Sequence, residues 1–379
     1  MRINSINTHL IFCIVSLLLL AGIVISCSDN KDSSQTSNIA QSLSGNDIAG
    51  FSRADAPRDF IFPEDFGPHS EFQTEWWYYT GNLSTEDGRD FGYQLTFFRR
   101  ALSPDEIKRE SGWASNQIYF AHFALTDIKS GMFYSSERWS RGAAGLAGSQ
   151  SSPFRVWIDN WFIEGDPETV KLKADDEDIS IELSLKSLKP IVLQGDQGLS
   201  QKSSDAGNAS YYFSQTRINS SGTISIDGQK FEVNGLSWLD REWSTSALGQ
   251  DQEGWDWFSL QLDDGREIML YQLRLKDGGM DPFSSGSIVS KNGKLIPLKA
   301  TDFNIEVLDT WKSPETGTVY PSKWGINIPS QNIELSIQPL LNNQELLVSF
   351  TYWEGAVKVS GNGISGKGYV ELTGYQSQD

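Results

Sequence analysis

One short string constrains this chain more than any other: Glu-Trp-Trp-Tyr-Tyr-Thr-Gly at 75–81, with a fainter echo in the second half. The string opens a strand over 76–83. A turn follows at Asp87-Gly88-Arg89, then a second strand with Phe91-Gly92-Tyr93-Gln94-Leu95. The echo keeps that order: Trp255-Asp256-Trp257-Phe258, a turn at Asp264-Gly265-Arg266, then Tyr271-Gln272-Leu273. An Asp-Gly turn between alternating apolar runs is a hairpin signal. One aromatic hairpin could be an ordinary core. Two, in the same order, predict a duplicated β unit with aromatic walls.

The first 26 residues read as a targeting segment rather than as fold. Arg2 gives a positive start, and residues 10–24 are apolar apart from Cys13 and Ser16. That run is short for a membrane span. It ends Val24-Ile25-Ser26-Cys27, the pattern of a bacterial lipoprotein signal, so an acylated Cys27 is expected. Ser28 after it matches an outer-membrane address in Gram-negative sorting. Several acyl chains anchor far more firmly than one. Membrane-extracted protein with no lipid mass on Cys27 would overturn this. The expected location is the cell envelope, as an outer-membrane lipoprotein facing the periplasm, or export. Cys13 leaves with the signal, so the mature chain has no thiol pair to oxidise and rests on core size and strand pairing.

Residues 27–57 form the next segment, rich in Ser, Asn, Asp and Gln. Such a composition buries too little to order itself and predicts a tether with a reach of about 30 Å. Strand signals then dominate, at 75–83, 90–98, 117–126, 156–164, 179–185, 210–218 and 222–226. They continue at 230–236, 255–262, 267–275, 285–290, 303–308, 333–338, 346–353 and 366–373. One short helix is expected over 103–109, capped by Ser103 with Pro104 in its first turn. The fold class is all-β, with antiparallel strands closing into barrels or sandwiches. The hairpin-type turn at Asp227-Gly228 sets the expected border, giving β units over 58–228 and 229–379.

The formal net charge of −18 excludes a nucleic-acid partner, which needs a basic footprint. It also disfavours broad docking on anionic headgroups. No HxH, CxxC or HExxH spacing exists, so no metal is expected, and no cofactor is implied. There is no GxSxG elbow and no phosphate-cradling loop.

Aromatic residues make up 12% of the chain, enough to fill a core and also to wall an apolar pocket. Both readings stay open for Trp77, Tyr79, Tyr93, Trp243, Trp257 and Tyr271, the candidate ligand contacts, to which Arg241 is added. Three titratable residues are candidate acids. His122 sits inside an aromatic strand. Glu75 heads the first Trp strand; facing inward, it must be paired or protonated. Asp240 lies in Trp-Leu-Asp-Arg-Glu-Trp at 238–243, where Asp240 and Glu242 share one strand face and Arg241 and Trp243 the other. A structural ion pair with Arg–Trp stacking accounts for this segment as well as a polar station at a pocket does.

Phe-Pro at 62–63, His69, the string at 75–81, Phe-Gly-Tyr-Gln-Leu-Thr-Phe-Phe-Arg at 91–99 and Ala121-His122-Phe123 together resemble the AttH-like family. So do 238–244 and Gly-Trp-Asp-Trp-Phe at 254–258. That family is grouped with hydroxyneurosporene synthase (carotenoid 1,2-hydratase) and kievitone hydratase. The resemblance spans about residues 58–375. It implies two consecutive lipocalin-like β-barrels, and for some members association with ABC transporters of the lipoprotein-release type. In the hydratase branch water adds to an isolated C=C bond, which needs a strong general acid. Against that pattern, Arg241 stands where a His is expected and Leu273 where a carboxylate is expected, while Trp243 and Tyr271 match. Arginine does not give up its proton in a protein.

The leading expectation is therefore a membrane-tethered protein that binds or chaperones a hydrophobic or amphipathic molecule, with an ABC export system as possible partner. The alternatives are a carotenoid 1,2-hydratase-like hydro-lyase using Asp240, His122 or Glu75, and a structural envelope or transporter accessory protein. The first two require at least one barrel with room inside.

Overall fold

A computed structural model of the chain describes residues 49–105, 111–246 and 248–375. The leader, Cys27 and most of the expected tether lie outside these residues, as does the main part of the helix expected over 103–109. Strands take 61% of the described residues, and no described helix reaches seven residues, so the fold is all-β.

Two antiparallel sheets account for nearly everything. The first holds β1 (Thr74–Ser84), β2 (Asp90–Ala101), β3 (Gln117–Asp127), β4 (Met132–Arg141), β5 (Ala147–Ser151), β6 (Phe154–Ile158) and β7 (Trp161–Asp166). It continues with β8 (Thr169–Asp175), β9 (Ile179–Ser187), β10 (Val192–Leu193), β11 (Leu199–Gln201), β12 (Ala209–Ile226) and β13 (Gln229–Ser244). Its order is β4-β3-β2-β1-β13-β12-β9-β8-β7-β6-β5, with β10 and β11 also on β12. The second sheet holds β14 (Gln252–Leu262), β15 (Glu267–Leu275), β16 (Ser285–Val289), β17 (Leu295–Lys299) and β18 (Asn304–Lys312). It ends with β19 (Val319–Ile328), β20 (Ile333–Pro339), β21 (Glu345–Leu347), β22 (Thr351–Gly361) and β23 (Ile364–Leu372), in the order β17-β16-β15-β14-β23-β22-β20-β19-β18, with β21 on β22. Both sheets curl, one into a nearly closed barrel and the other into a half-barrel. In the first, side chains reach from β3 and β4 towards the far end of the strand order. Tyr119 Oη lies 3.0 Å from Ser149 Oγ, and Arg138 donates to Asn160 and to the Asp175 carbonyl.

The duplicated hairpins hold equivalent places. β1 runs between β2 and β13, and β14 between β15 and β23. Each Asp-Gly-Arg turn needs a glycine at positive φ, +84° at Gly88 and +88° at Gly265. The expected border at 228 falls elsewhere. Asp227-Gly228 is the turn of the β12–β13 hairpin inside the first sheet, because the next strand pairs with β1 over eleven residues. The chain passes to the second sheet between Ser244 and Gln252. Two expected strands also change. Residues 156–164 fold back on themselves as β6 and β7, with Asp159 at φ +53° in the turn. Residues 210–226 run on as one strand through a bulge between Gln215 and Ile218.

Alternation divides the side chains of β1 between two faces. Trp77, Tyr79 and Leu83 point into the curl of the first sheet. There they join Phe91, Tyr93, Leu95, Phe97, Phe213 and Trp243 in a dense buried cluster. A separate cluster with Phe258, Trp324 and Trp353 fills the curl of the second. Trp76 and Tyr78 take the opposite face and meet the second sheet. Tyr78, Tyr212, Trp238, Trp257, Met269 and Tyr271 form one cluster between the sheets; Phe98, Phe120, Phe350 and Tyr352 form another.

Candidate functional site

A cavity of about 70 Å³ lies between the two sheets, where the duplicated Trp strands face each other. Trp76, Tyr78, Tyr212, Trp257 and Tyr271 supply most of its aromatic wall. Tyr78 and Trp257 meet edge to face at 5.1 Å. Trp76 and Trp255, the half-buried rings, mark the open side.

Strand register explains the polar groups. Tyr78 lies opposite Asp240 and Trp76 opposite Glu242, so β13 sends both carboxyls to the face that carries the aromatic wall. Trp257 lies opposite Glu371, and Glu371 opposite Glu354, so β22 and β23 bring two more from the other sheet. Lys202 is the cation that lines the cavity. Its Nζ lies 3.3 Å from Glu242 Oε1, donates to Ser200 Oγ at 3.0 Å, and sits 4.3 Å from the Tyr271 ring centre. Burial pulls Lys202 down, but Glu242 and Tyr271 outweigh it, so it stays protonated.

The other three carboxyls have no ion-pair partner among the described residues. Asp240 accepts from Tyr212 Oη at 2.6 Å, Ser214 Oγ at 2.5 Å and Trp238 Nε1 at 2.7 Å. Burial, helped by Glu242, still pushes it up to about 7. Glu371 accepts from Trp255 Nε1 at 3.0 Å; burial, with Asp240 and Glu242 adding, raises it to about 8. Glu354 is fully buried and is raised well above its usual range by burial and then by Glu371. Tyr78 Oη donates to its Oε2 at 2.8 Å, while its Oε1 has no hydrogen-bond partner. A carboxyl pair in this setting carries protons at neutral pH because a charge there is poorly solvated.

Of the residues singled out from sequence, Asp240, Trp257 and Tyr271 line this cavity. His122 stands one step behind: its Nδ1 lies 2.7 Å from Tyr352 Oη, and its Nε2 3.0 Å from Glu137 Oε1. Burial lowers His122, with Glu137 opposing. Glu75, Trp77, Tyr79, Tyr93, Arg241 and Trp243 do not line it, because their odd positions on β1, β2 and β13 point into the first curl. The cavity thus lies outside the barrel interior in which a guest is expected, and the first curl holds packed rings and an ion network. Glu75 is paired with Arg99 and Arg241, which hold its carboxyl well below the usual range despite burial. His69 Nδ1 lies 3.3 Å from Glu75, and its ring stacks on Trp243 at 3.7 Å. Arg241 sits 4.0 Å over the Trp77 ring. Lys202, Tyr78, Tyr212, Glu354 and Glu371 escaped the sequence reading. The legible signal was a lone acid within an apolar run, as in Tyr-Trp-Glu at 352–354 and Tyr-Val-Glu-Leu at 369–372.

The comparisons agree with this architecture. A crystal structure of an AttH protein from Nitrosomonas europaea is 34% identical, with a TM-score of 0.77 over 84% of this chain and 99% of that one. Kievitone hydratase from Nectria haematococca shares the fold at 13% identity, with a TM-score of 0.64 over 85% of this chain and 95% of that one. No curated protein matches the sequence. The AttH-like family profile matches residues 53–375, which takes in both sheets and every residue of the cavity, and the chain belongs to that family.

Proposed function

We propose that the chain binds a hydrophobic or amphipathic small molecule in the cleft between its two sheets. The observation that carries this is the meeting of two Trp-bearing faces around a cavity with a few buried polar groups, the usual composition of a small-molecule site. A hydrophobic cargo also suits the envelope tether expected at Cys27 and an export partner.

Decanol is the neutral test ligand, followed by Trp fluorescence. A saturable change is expected. Trp257→Ala removes a wall of the cleft and should weaken binding tenfold or more. Tyr79→Phe acts inside the first curl, where the Tyr79 hydroxyl has no partner, and should leave binding unchanged. Loss of binding in Tyr79→Phe but not in Trp257→Ala would place the guest inside the barrel and overturn this reading.

A second reading rests on Asp240. A carboxyl held protonated to about pH 7 beside an apolar wall could give its proton to an isolated C=C bond. Water would then add to the cation and return a proton. Incubation with acyclic polyenes tests it. A tertiary alcohol that disappears in Asp240→Asn would favour this reading, and no alcohol from the wild type would end it.

A further inference from the structure

The cleft carries four carboxyls against one ammonium, and Lys202 is already engaged with Glu242. Fully ionised, the remaining three would leave it strongly negative with no Arg or Lys within ion-pair distance among the described residues. Glu354 and Glu371 lie side by side on paired strands. Buried like charges at that separation do not both ionise unless a proton or another cation sits with them. One acceptor, Glu354 Oε1, is fully buried and lacks a donor. Tyr78 is spent on Oε2 and Trp255 on Glu371. Tyr352, on the same strand, bonds His122, which in turn faces Glu137. The cavity that Glu354 lines is walled by the rings of Trp76, Tyr78, Trp255 and Trp257.

An N–H-bearing cation with an apolar body satisfies all of this. It donates to the orphaned oxygen, neutralises the carboxyl pair and lays its carbon chain on faces that attract cations. A neutral alcohol satisfies only the apolar part, and a carboxylate ligand would add a like charge. A bare metal ion is disfavoured, because no group of three or more His, Cys, Asp or Glu among the described residues is placed to hold one. We infer that the intersheet cleft is selective for a protonated amine on a hydrophobic chain, anchored by Glu354 and Glu371. This rests on the cleft being the ligand site.

Because those carboxyls hold protons near neutral pH, with Glu371 at about 8 and Asp240 at about 7, an ammonium must displace one on binding. Affinity then rises with pH, roughly tenfold per unit below pH 8 for one proton released. Lys202 is raised by its neighbours, and burial raises Tyr78, Tyr212 and Tyr352 well above their ordinary range, so none of these alters the sign.

The test uses the full chain with decylamine, decanol and decanoate, each below its micelle concentration, by calorimetry in two buffers of different ionisation enthalpy. Decylammonium is expected to bind at least tenfold tighter than decanol at pH 7.5, releasing about one proton. Decanoate should bind weakest. Glu354→Gln should lower decylamine affinity at least tenfold more than decanol affinity, removing the preference for the amine, in protein whose thermal melt shows it folded. Decanol binding equal to or tighter than decylamine, or an amine preference that survives Glu354→Gln in folded protein, overturns this inference and leaves the cleft reading standing. Failure of all three ligands to bind overturns both.

Discussion

Buried carboxyls in this chain exist in two states, and immediate neighbours decide which. Glu75 has two guanidiniums in contact, so it is ionised at any ordinary pH. Its stabilising effect is present above the unfolded carboxyl range and is lost only as pH falls through its depressed folded value. Glu371 has an indole N–H but no cation, and its pKa rises to about 8. The sign is then reversed. Its contribution is full below about pH 4.5, and it declines as pH climbs towards 8. Glu371→Gln keeps an acceptor for Trp255 and cannot ionise. Thermal melts should give equal midpoints for wild type and variant at pH 5. At pH 9 the variant should be more stable by roughly 4–5 kcal/mol, several degrees in Tm. A variant less stable than wild type at pH 9 would mean that the Glu371 charge is solvated or paired. The sequence exposed only part of this logic. That Asp240 and Glu242 share a face opposite Arg241 follows from strand alternation. Which face meets another sheet does not, since both carry Trp residues and either could have been the inside.

At the scale of elements, local chemistry made the two hairpins legible and hid much of what surrounds them. Asp-Gly turns and Trp-Tyr alternation fix β1–β2 and β14–β15 with little tertiary help. β19 is absent from the expected strands; it carries Pro321 and Gly325, residue types that weaken a strand, and its ladder to β18 takes the proline beside a register shift. β6 and β7 looked like one strand because Asp159, not Gly, makes the turn. The approach of β2 to β22 was also hidden. A Cβ on Gly92 would stand 2.5 Å from the Ala356 Cβ, and neither atom can rotate away. The two sheets therefore touch through a missing side chain, at a contact adjoining the cleft. Gly92→Ala should cost about 1–3 kcal/mol in urea unfolding as an overpacking change. Adding Ala356→Gly should restore most of that loss, giving a coupling of roughly 1 kcal/mol or more in the double-mutant cycle. Additive effects would show that these strands do not cross so closely.

Across the whole molecule, the cleft exists only because two curled sheets are fastened by polar clasps as well as by aromatic contact. Glu267, fully buried at the start of β15, takes Lys189 on one oxygen at 2.6 Å and Arg217 on the other at 2.5 Å, both from the part of the chain that builds the first sheet. Asn82 donates to the Gly368 carbonyl at 3.0 Å. Gln261 donates to the carbonyls of Thr216 and Ser237. Peeling the sheets apart would expose the Tyr78–Trp257 and Phe120–Tyr352 clusters and strand these groups together. The cost falls on both halves, so neither is expected to survive the other's unfolding. Calorimetry and Trp fluorescence should therefore report one coincident transition for the full chain. Glu267→Gln leaves two cations short of their counter-charge and should lower stability by roughly 3 kcal/mol. The transition should move without splitting. Two resolved transitions, in the wild type or in Glu267→Gln, would mean that each sheet carries its own stability. The cleft would then be a loose contact between independent barrels rather than a site built by their union.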